Sequence, residues 1–361
     1  MKQIKARSIL VGGGTPTYLT IEQLTRFLAF FTKRVDLSQC PQFNYDVDPA
    51  TLVGPEGRER LRIMREFGVN RLTIGVQSLD DHVLHLMARH HDAATAMESI
   101  RNCKEFGFQV NIEFIYGYPG ETLENWMQII QTAIDTGVEE IQLYRLKIES
   151  YGDHVAPIKT LKEKNPDAVP STEVALMMKQ LAIEMLNANG YHENLRRVYS
   201  KKREDYSHYA HNQCCDQRDQ IGLGLTAFSS MHDRFALNTQ SFDEYYRLIE
   251  KGRLPVNRGY VRTKEEQMRW AIILPLKNRD IYKPRFTELT GASLDKVFRP
   301  KIEKLKSYGL LREDEKILAL TELGCFFADE VCQQFHDPRW MPYPRSDYAE
   351  GPLNPYTDCQ P

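Results

Sequence analysis

Five short β-rich segments alternate with amphipathic helical patterns through the first 150 residues, and no other feature constrains the fold as much. The segments are Ser8–Val11, Phe43–Val47, Arg71–Gln77, Gln109–Tyr116 and Glu140–Ile148. Between them lie helical patterns at Ile21–Lys33, Gly57–Phe67, Asp80–Ala88 with Ala93–Phe106, and Leu123–Thr136. Leu61, Met64 and Phe67 space as one buried helical face, and so do Trp126, Ile129, Ile130 and Ile134. Phe67-Gly68 and Phe106-Gly107 put glycine just past a last helical turn. Strands recurring every roughly 30–40 residues leave room for a crossover helix each, which predicts a parallel sheet forming a barrel or part of one.

The chain changes character further on. Residues 149–205 are more polar and less periodic, apart from a helix at Thr172–Asn189. Gln220–Ser229, with Gly222 and Gly224, reads as a strand ending in a tight approach. From about Arg262 a compact helical unit is expected: a helix at Glu265–Pro275, helices at Lys283–Thr290 and Leu294–Tyr308, then a hairpin over Leu311–Thr321. Helix–turn–helix followed by a hairpin is a winged-helix pattern. The expected divisions are 1–150, 151–260, 261–335 and a Pro-rich tail, 336–361, packed on the body or disordered.

Composition narrows the classes. The chain has 361 residues, 42% hydrophobic and 27% charged, as in ordinary soluble proteins. A net charge of −2 gives no electrostatic case for nucleic acid or an anionic membrane surface. Lys301, Lys304 and Lys306 sit among acidic residues, so the winged-helix unit lacks a basic face for DNA. The opening residues run straight into a strand without a signal peptide, so a cytoplasmic location is expected. Seven cysteines, odd in number and irregular in spacing, do not form a disulfide framework. No CxxC or CxxxCxxC spacing occurs among them.

Ligands of parallel α/β architectures bind at the C-terminal ends of the strands. At those ends stand Gly13, Gly14 and Thr15 of the run Gly12-Gly13-Gly14-Thr15-Pro16-Thr17, then Asp46 and Asp48, then Gln77 and Ser78, then Glu113, then Tyr144, Arg145 and Lys147. Consecutive glycines let a ligand approach the backbone, since no Cβ intervenes. A glycine cradle, carboxylates, an amide and a cation suit a zwitterionic ligand carrying a ribose. Read singly, each of these residues is also an ordinary cap or turn former.

The motifs GGGTPT, DVDP (Asp46–Pro49), RLTIGVQS (Arg71–Ser78), MARHH (Met87–His91) and NIEFIYGYPGET (Asn111–Thr122) occur in an order and spacing that resembles the radical S-adenosylmethionine enzymes of the oxygen-independent coproporphyrinogen III oxidase type. The likeness runs through Ile148 and continues more weakly through Ile221–Ser229 into the C-terminal helices. It implies an α/β partial (β/α)6 barrel, here lacking its first strand, followed by a mainly helical, winged-helix-like domain. It implies that Gly13, Gly14 and Thr15 bind the methionyl amino end of S-adenosylmethionine. Asp46 stands where Glu is usual and Glu113 where Asp is common. Gln77, Arg89 and Glu113 fall on cofactor-contacting positions, with Arg89 pairing the methionyl carboxylate and Lys147 added to the cofactor set. Tyr144, Arg145 and His211 are the candidate substrate residues.

Two departures from that family stand out. Its CxxxCxxC motif, whose three thiolates hold a [4Fe–4S] cluster and leave one iron open, belongs upstream of GGGTP, and only eleven residues precede Gly12. The expectation is therefore a cluster in the full-length protein only, with an exposed sheet edge in this chain that favours poor solubility or dimerisation. The substrate half also differs. His211-Asn212 matches the HN of the family's haem-chaperone branch, but Cys215-Asp216 replaces the aromatic pair there. His208, His211, Cys214 and Cys215 could hold a metal, with ordinary pocket roles as the competing reading. The implied function is reductive cleavage of S-adenosylmethionine with hydrogen abstraction, or methylation, on an organic substrate of the tetrapyrrole kind. A flavodoxin or ferredoxin would be the electron donor. A non-catalytic haem-binding protein of the same fold is the alternative.

Overall fold

Each central strand of the N-terminal half alternates polar and apolar side chains, and the fold sorts them onto two faces of one sheet. The computed structural model describes residues 3–146, 157–341 and 351–356. The chain divides into two units, 1–209 and 210–361, so the division falls inside the 151–260 stretch. In the first unit the order is β1 (Ile4–Lys5), β2 (Ile9–Val11), α1 (Ile21–Thr32), β3 (Val35–Asp36), β4 (Phe43–Val47), α2 (Gly54–Glu66), β5 (Arg71–Gln77), α3 (Asp81–Leu86), α4 (Ala93–Glu105), β6 (Gln109–Tyr116), α5 (Leu123–Asp135), β7 (Glu140–Arg145), α6 (Pro157–Lys164), α7 (Thr172–Ala188), β8 (His192–Leu195) and β9 (Val198–Ser200).

The main sheet runs β2-β4-β5-β6-β7-β9-β8. Its first five strands are parallel. The series of βα units then stops, because β9 pairs antiparallel with β7 and β8 antiparallel with β9. The five segments expected to form a parallel sheet do so, and the two antiparallel strands extend that sheet beyond them. The hairpin joining β8 to β9 turns through Arg197 in the left-handed region, and a hairpin can only lay its strands antiparallel. The edge strand β2 is three residues long, with Ile9 buried and Leu10 and Val11 half-buried.

Helices begin where the sequence offers caps. Thr20 and Gln23 form a reciprocal capping box on α1, and Thr122 Oγ1 accepts from Asn125 N on α5. Tyr45, Leu72, Ile74, Val110, Ile112, Phe114 and Ile141 leave the sheet on one face and pack with Leu24, Leu28, Leu61, Met64, Ile100 and Ile130. Trp126, fully buried, donates Nε1–H to the carbonyl of Met178 at 2.8 Å, which ties α5 to α7.

The opposite face of the sheet is polar. Arg71, at the start of β5, forms a two-pronged pair with Glu140 at the start of β7: Nε to Oε1 and Nη2 to Oε2, both 2.8 Å. The two side chains are 2% and 0% exposed. Arg71 Nη1 also donates to Asn44 Oδ1 on the adjoining β4 and to Thr73 Oγ1 on its own strand. Gln109 Nε2 reaches Glu140, and Gln42 ties this layer to Tyr206 O and His208 N. The network closes the N-terminal ends of the strands.

In the second unit, strands Phe228–Met231, Arg234–Asn238 and Val256–Val261 form an antiparallel meander. The helix Lys264–Asn278 follows, then helices Lys283–Thr290, Leu294–Val297 and Arg299–Ser307 and a hairpin of Leu311–Glu313 with Ile317–Leu320. Ile272, Leu276, Phe286, Ile302, Leu318 and Phe335 form its core. The winged-helix order is present, with two corrections. Leu294–Tyr308 is two helices, because Pro300 lacks the N–H a continuous helix would need and starts a new first turn. Gln220–Ser229 is a turn rather than a strand up to Phe228, and only Gln220 bridges, to Ser230. A Cβ on Gly222 would stand 2.3 Å from Phe228 O, and Gly224 has φ +116°, so the chain doubles back there. In the tail, Leu353 packs on the second core and its carbonyl accepts from Gln334. No helix among the described residues is long and apolar enough to cross a membrane.

Replacing Glu140 by Gln strands a buried guanidinium, so E140Q should lower stability by about 3–5 kcal/mol. Urea unfolding of E140Q beside an R71M/E140M double variant checks this, with the double variant losing less than E140Q.

Candidate functional site

The loop after β2 is fastened to the loop after β4. Thr17 is fully buried, and its Oγ1 accepts from Asp48 N at 3.3 Å and from Thr51 Oγ1 at 2.7 Å. This leaves Gly12, Gly13 and Gly14 exposed at the end of the sheet. Gly13 has φ +114°, which a side chain rarely adopts. A Cβ on Gly12 would stand 2.4 Å from Asp46 Oδ2, so the Asp46 carboxylate occupies the space that glycine leaves.

Two residues beyond Asp46, Asp48 anchors the cation. Arg89 Nη2 donates to Asp48 Oδ2 at 2.8 Å and to Gly75 O at 3.1 Å, while Arg89 Nε is buried with no partner. Gln77 ends β5 with φ +68°, and its side chain folds back so that a Cβ on Gly75 would meet Gln77 Nε2 at 2.9 Å. The β5–β6 register shifts at this place, between Ile74 and Gln77. The bulge turns both the Gly75 carbonyl and the Gln77 amide toward Arg89. His91 is buried and its Nε2 lies 3.0 Å from Val76 O, with burial holding its pKa below the ordinary value.

Asp46 and Glu113 continue the polar face toward the strand ends. Asn44 Nδ2 donates to Asp46 Oδ1 at 3.1 Å. Burial pushes Asp46 up to about 6, against the pull of Arg71 and of hydrogen bonds from Asn44 and Thr73. Burial, then the charge of Asp46, pushes Glu113 up to about 7, opposed by the Tyr144 hydroxyl and Arg71. Tyr144 Oη donates to Glu113 Oε1 at 3.4 Å and accepts from Gln142 Nε2. Two carboxylates poised near neutrality and lacking a full set of cationic partners suit a cationic or hydroxyl-rich ligand.

The structure therefore brings Gly13, Gly14 and Thr15, Asp46, Gln77, Arg89, Glu113 and Tyr144 to one end of the first unit. Arg145 is not among them. It follows Tyr144 in the strand, so its side chain leaves the other face, is exposed, and donates to Thr172 Oγ1 at 3.4 Å. Lys147 lies outside the described residues. His211 belongs to the second unit, on the turn His211–Cys215, with Nδ1 4.0 Å from Asp216 Oδ1 and its pKa lowered by burial. Cys214 and Cys215 are free thiols, both pushed up by burial, Cys214 to about 11. No group of three or more His, Cys, Asp or Glu among the described residues is arranged to hold a metal. Sequence reasoning assigned no role to Gly12 as the seat of Asp46, nor to Asp48 as the partner of Arg89. The period-two spacing of Asp46 and Asp48 was the available signal.

Residues 1–133 match the model of the radical SAM superfamily, and residues 263–327 match that of the HemN C-terminal domain. The chain thus carries a radical SAM domain and, further on, a HemN C-terminal domain. It is 27% identical to heme chaperone HemW of Bacillus subtilis over 336 residues, covering 91% of this chain and 85% of that protein. It is 27% identical to oxygen-independent coproporphyrinogen III oxidase of Escherichia coli over 345 residues, covering 90% of this chain and 72% of the enzyme. The solved structure of coproporphyrinogen III oxidase (HemN) from Escherichia coli superposes with a TM-score of 0.76, covering 92% of this chain and 78% of that one at 22% identity.

The family implies S-adenosylmethionine and a [4Fe–4S] cluster. The site fits the first: the glycine cradle would take the amino end, the orphaned Arg89 Nε the carboxylate, and Asp46, Gln77 and Glu113 the ribose and cationic groups. The residues present do not fit the second. Cys103 is fully buried in the first core and Cys40 donates to Gln42 O, and no three thiols share a site among the described residues.

Asp46 and Glu113 hold protons in the folded chain that the unfolded chain has released by pH 5–7. Stability of the unliganded protein should therefore fall as pH rises from about 4.5 to 7.5, by roughly 2–4 kcal/mol. Melting curves across that range check it, and D46N/E113Q should flatten the profile.

Proposed function

We infer that the first unit is an S-adenosylmethionine-binding site and that the chain acts in tetrapyrrole chemistry as a coproporphyrinogen-oxidase-like protein. The observation that carries this reading is Arg89: a guanidinium fixed by Asp48 and Gly75 O, with a buried Nε facing no acceptor, its partner Asp48 bonded through Thr17 to the loop that follows Gly12–Gly14. A free amino-acid end, with ammonium and carboxylate about one Cα apart, satisfies both features together. Asp46 and Glu113 then face the ribose end. Reductive cleavage and hydrogen abstraction, or methyl transfer, would need the cluster that these residues do not supply, and a reduced flavodoxin or ferredoxin belongs to that reading. A cytoplasmic location goes with it. The relatives named coproporphyrinogen III oxidase and heme chaperone support a tetrapyrrole as the small-molecule partner.

A second reading, haem binding without catalysis, is favoured by the likeness to heme chaperone HemW over 91% of the chain and by the half-buried His211. Haem titration separates the two: a Soret shift lost in H211A supports carriage, and its absence counts against it.

Calorimetric titration with S-adenosylmethionine tests the main reading. R89Q and D46N should each weaken binding by about ten- to a hundredfold, as expected for loss of a charge-assisted contact. Affinity for the wild-type chain that neither substitution alters would overturn it.

A further inference from the structure

Residues 251–264 carry five cationic side chains and not one carboxylate, although the chain's net charge is −2. The stretch enters the meander as its outer strand, Val256–Val261, which pairs with Arg234–Asn238 on one side only. All six residues of that strand are exposed. The ladder is regular over residues 258–261 and shifts register just before them, so Asn257 stands opposite no residue. Arg262 N donates to Asp233 O at 2.7 Å. Hydrogen bonding alternates along an antiparallel pair, so Arg258 and Tyr260 turn their backbone groups inward as Arg262 does. Gly259 and Val261 then turn their N–H and C=O groups outward, to a side where no strand lies among the described residues.

That edge is held still from behind. Tyr260 Oη donates to Glu266 Oε1 at 2.5 Å, at the wall of a cavity of about 710 Å3 that Phe228, Phe235, Trp270 and Trp340 also line. Arg262 donates Nε–H to Gln267 Oε1 at 2.7 Å and Nη2–H to His232 O at 2.6 Å, and its guanidinium lies 4.3 Å from the centre of the Trp270 ring. Arg262 is thus committed, and Asp233 and Glu266 answer its charge. Lys251, Arg253, Arg258 and Lys264 are not committed: among the described residues none of them has an ion pair or a side-chain hydrogen bond. Apolar groups beside them are bare as well, Leu254 81% and Val261 60% exposed. An edge lined with cations repels a second copy of itself, which keeps two chains of this protein from pairing there. It attracts a strand of opposite sign. A nucleic acid would meet the same charge, but its backbone has no row of donors and acceptors to match Gly259 and Val261, and Tyr260 is the strand's single ring for a base to stack on.

We propose that residues 258–261 are a docking edge for an acidic, extended segment of a partner protein, which joins the meander as a fourth strand. Gly259 and Val261 supply the main-chain hydrogen bonds, and the glycine lets the incoming backbone close without a side chain in its way. Arg258 lies within the paired length, with Arg253 ahead of it and Lys264 beyond, so acids are selected at the middle and at both ends of the segment. Leu254 and Val261 leave apolar surface for the side chains that alternate with those acids. This docking does not depend on the S-adenosylmethionine reading.

The experiment titrates the full chain with an end-blocked peptide of about eight residues that alternates glutamate and valine, and with its lysine–valine counterpart. Calorimetry reads affinity, and amide hydrogen exchange reads strand pairing. The acidic peptide is expected to saturate at one per chain, at least tenfold tighter than the basic one, and to slow exchange at Gly259 and Val261. N-methylation at two adjacent central residues strips a donor from either edge of the peptide and should weaken it about tenfold, and so should R258E. Arg258 is exposed and has no side-chain partner among the described residues, so this variant keeps the fold. No saturable binding of the acidic peptide up to about 1 mM would overturn the proposal. Binding that R258E leaves unchanged, or that does not slow exchange at Gly259 and Val261, would overturn it too, since the peptide would then sit elsewhere or be held by charge alone. Phosphatidylserine vesicles and oligothymidylate are titrated alongside, and R258E-sensitive binding of either one with the peptide unbound assigns the edge to a lipid surface or a nucleic acid instead.

Discussion

The Arg71–Glu140 pair is the constraint on which the first unit turns. The interior face of a curved sheet ordinarily fills with aliphatic side chains, yet here Asn44, Arg71, Thr73, Asn111 and Glu140 occupy it. Buried charge is tolerated only when each atom has a partner. Arg71 meets that condition through two bonds to Glu140 and one each to Asn44 and Thr73. The network therefore fixes the register of β4, β5 and β7 against one another, since a slip of one residue would send these groups into the apolar layer. It also sets the electrostatics further along the strands. Arg71 acts on both Asp46 and Glu113, but its charge is largely answered by Glu140, and so both carboxylates stay poised near neutrality.

Much of this was legible in the chain, and the reasons differ by element. Strands β4, β5 and β6 begin and end where period and turn residues place them, because each is a central strand with helices packed on one side. The Gly12–Gly14 turn was legible because the run follows a short apolar strand and precedes an amphipathic helix. The antiparallel hairpin at 192–200 was not. His192–Leu195 is short and polar, and it pairs with Val198–Ser200, which in turn lies against β7, so its place is set by that partner rather than by its own pattern. The meander at 228–261 was hidden for a similar reason: all six residues of Val256–Val261 are exposed, so no buried alternation marks them. Arg145 misled because a position at a strand end does not say which face its side chain takes. Parity with Tyr144 does say so.

The two units place polarity differently. In the first, hydrogen-bonded and charged groups line the inner face and converge on an open end, an arrangement suited to a small, highly polar ligand. In the second, the cavity wall is aromatic and its cations sit beside rings. The radical SAM match covers residues 1–133, within the first unit, and the HemN C-terminal match covers residues 263–327, within the second.

The contact between Gly12 and Asp46 has an evolutionary corollary. The carboxylate rests in the volume of a side chain that Gly12 does not have. Neither residue can therefore drift alone: a methyl group at position 12 evicts the acid, and a bulkier acid at position 46 must find its extra methylene room elsewhere. Two positions thirty-four apart in sequence thus share one volume, and a change at either is felt at the other.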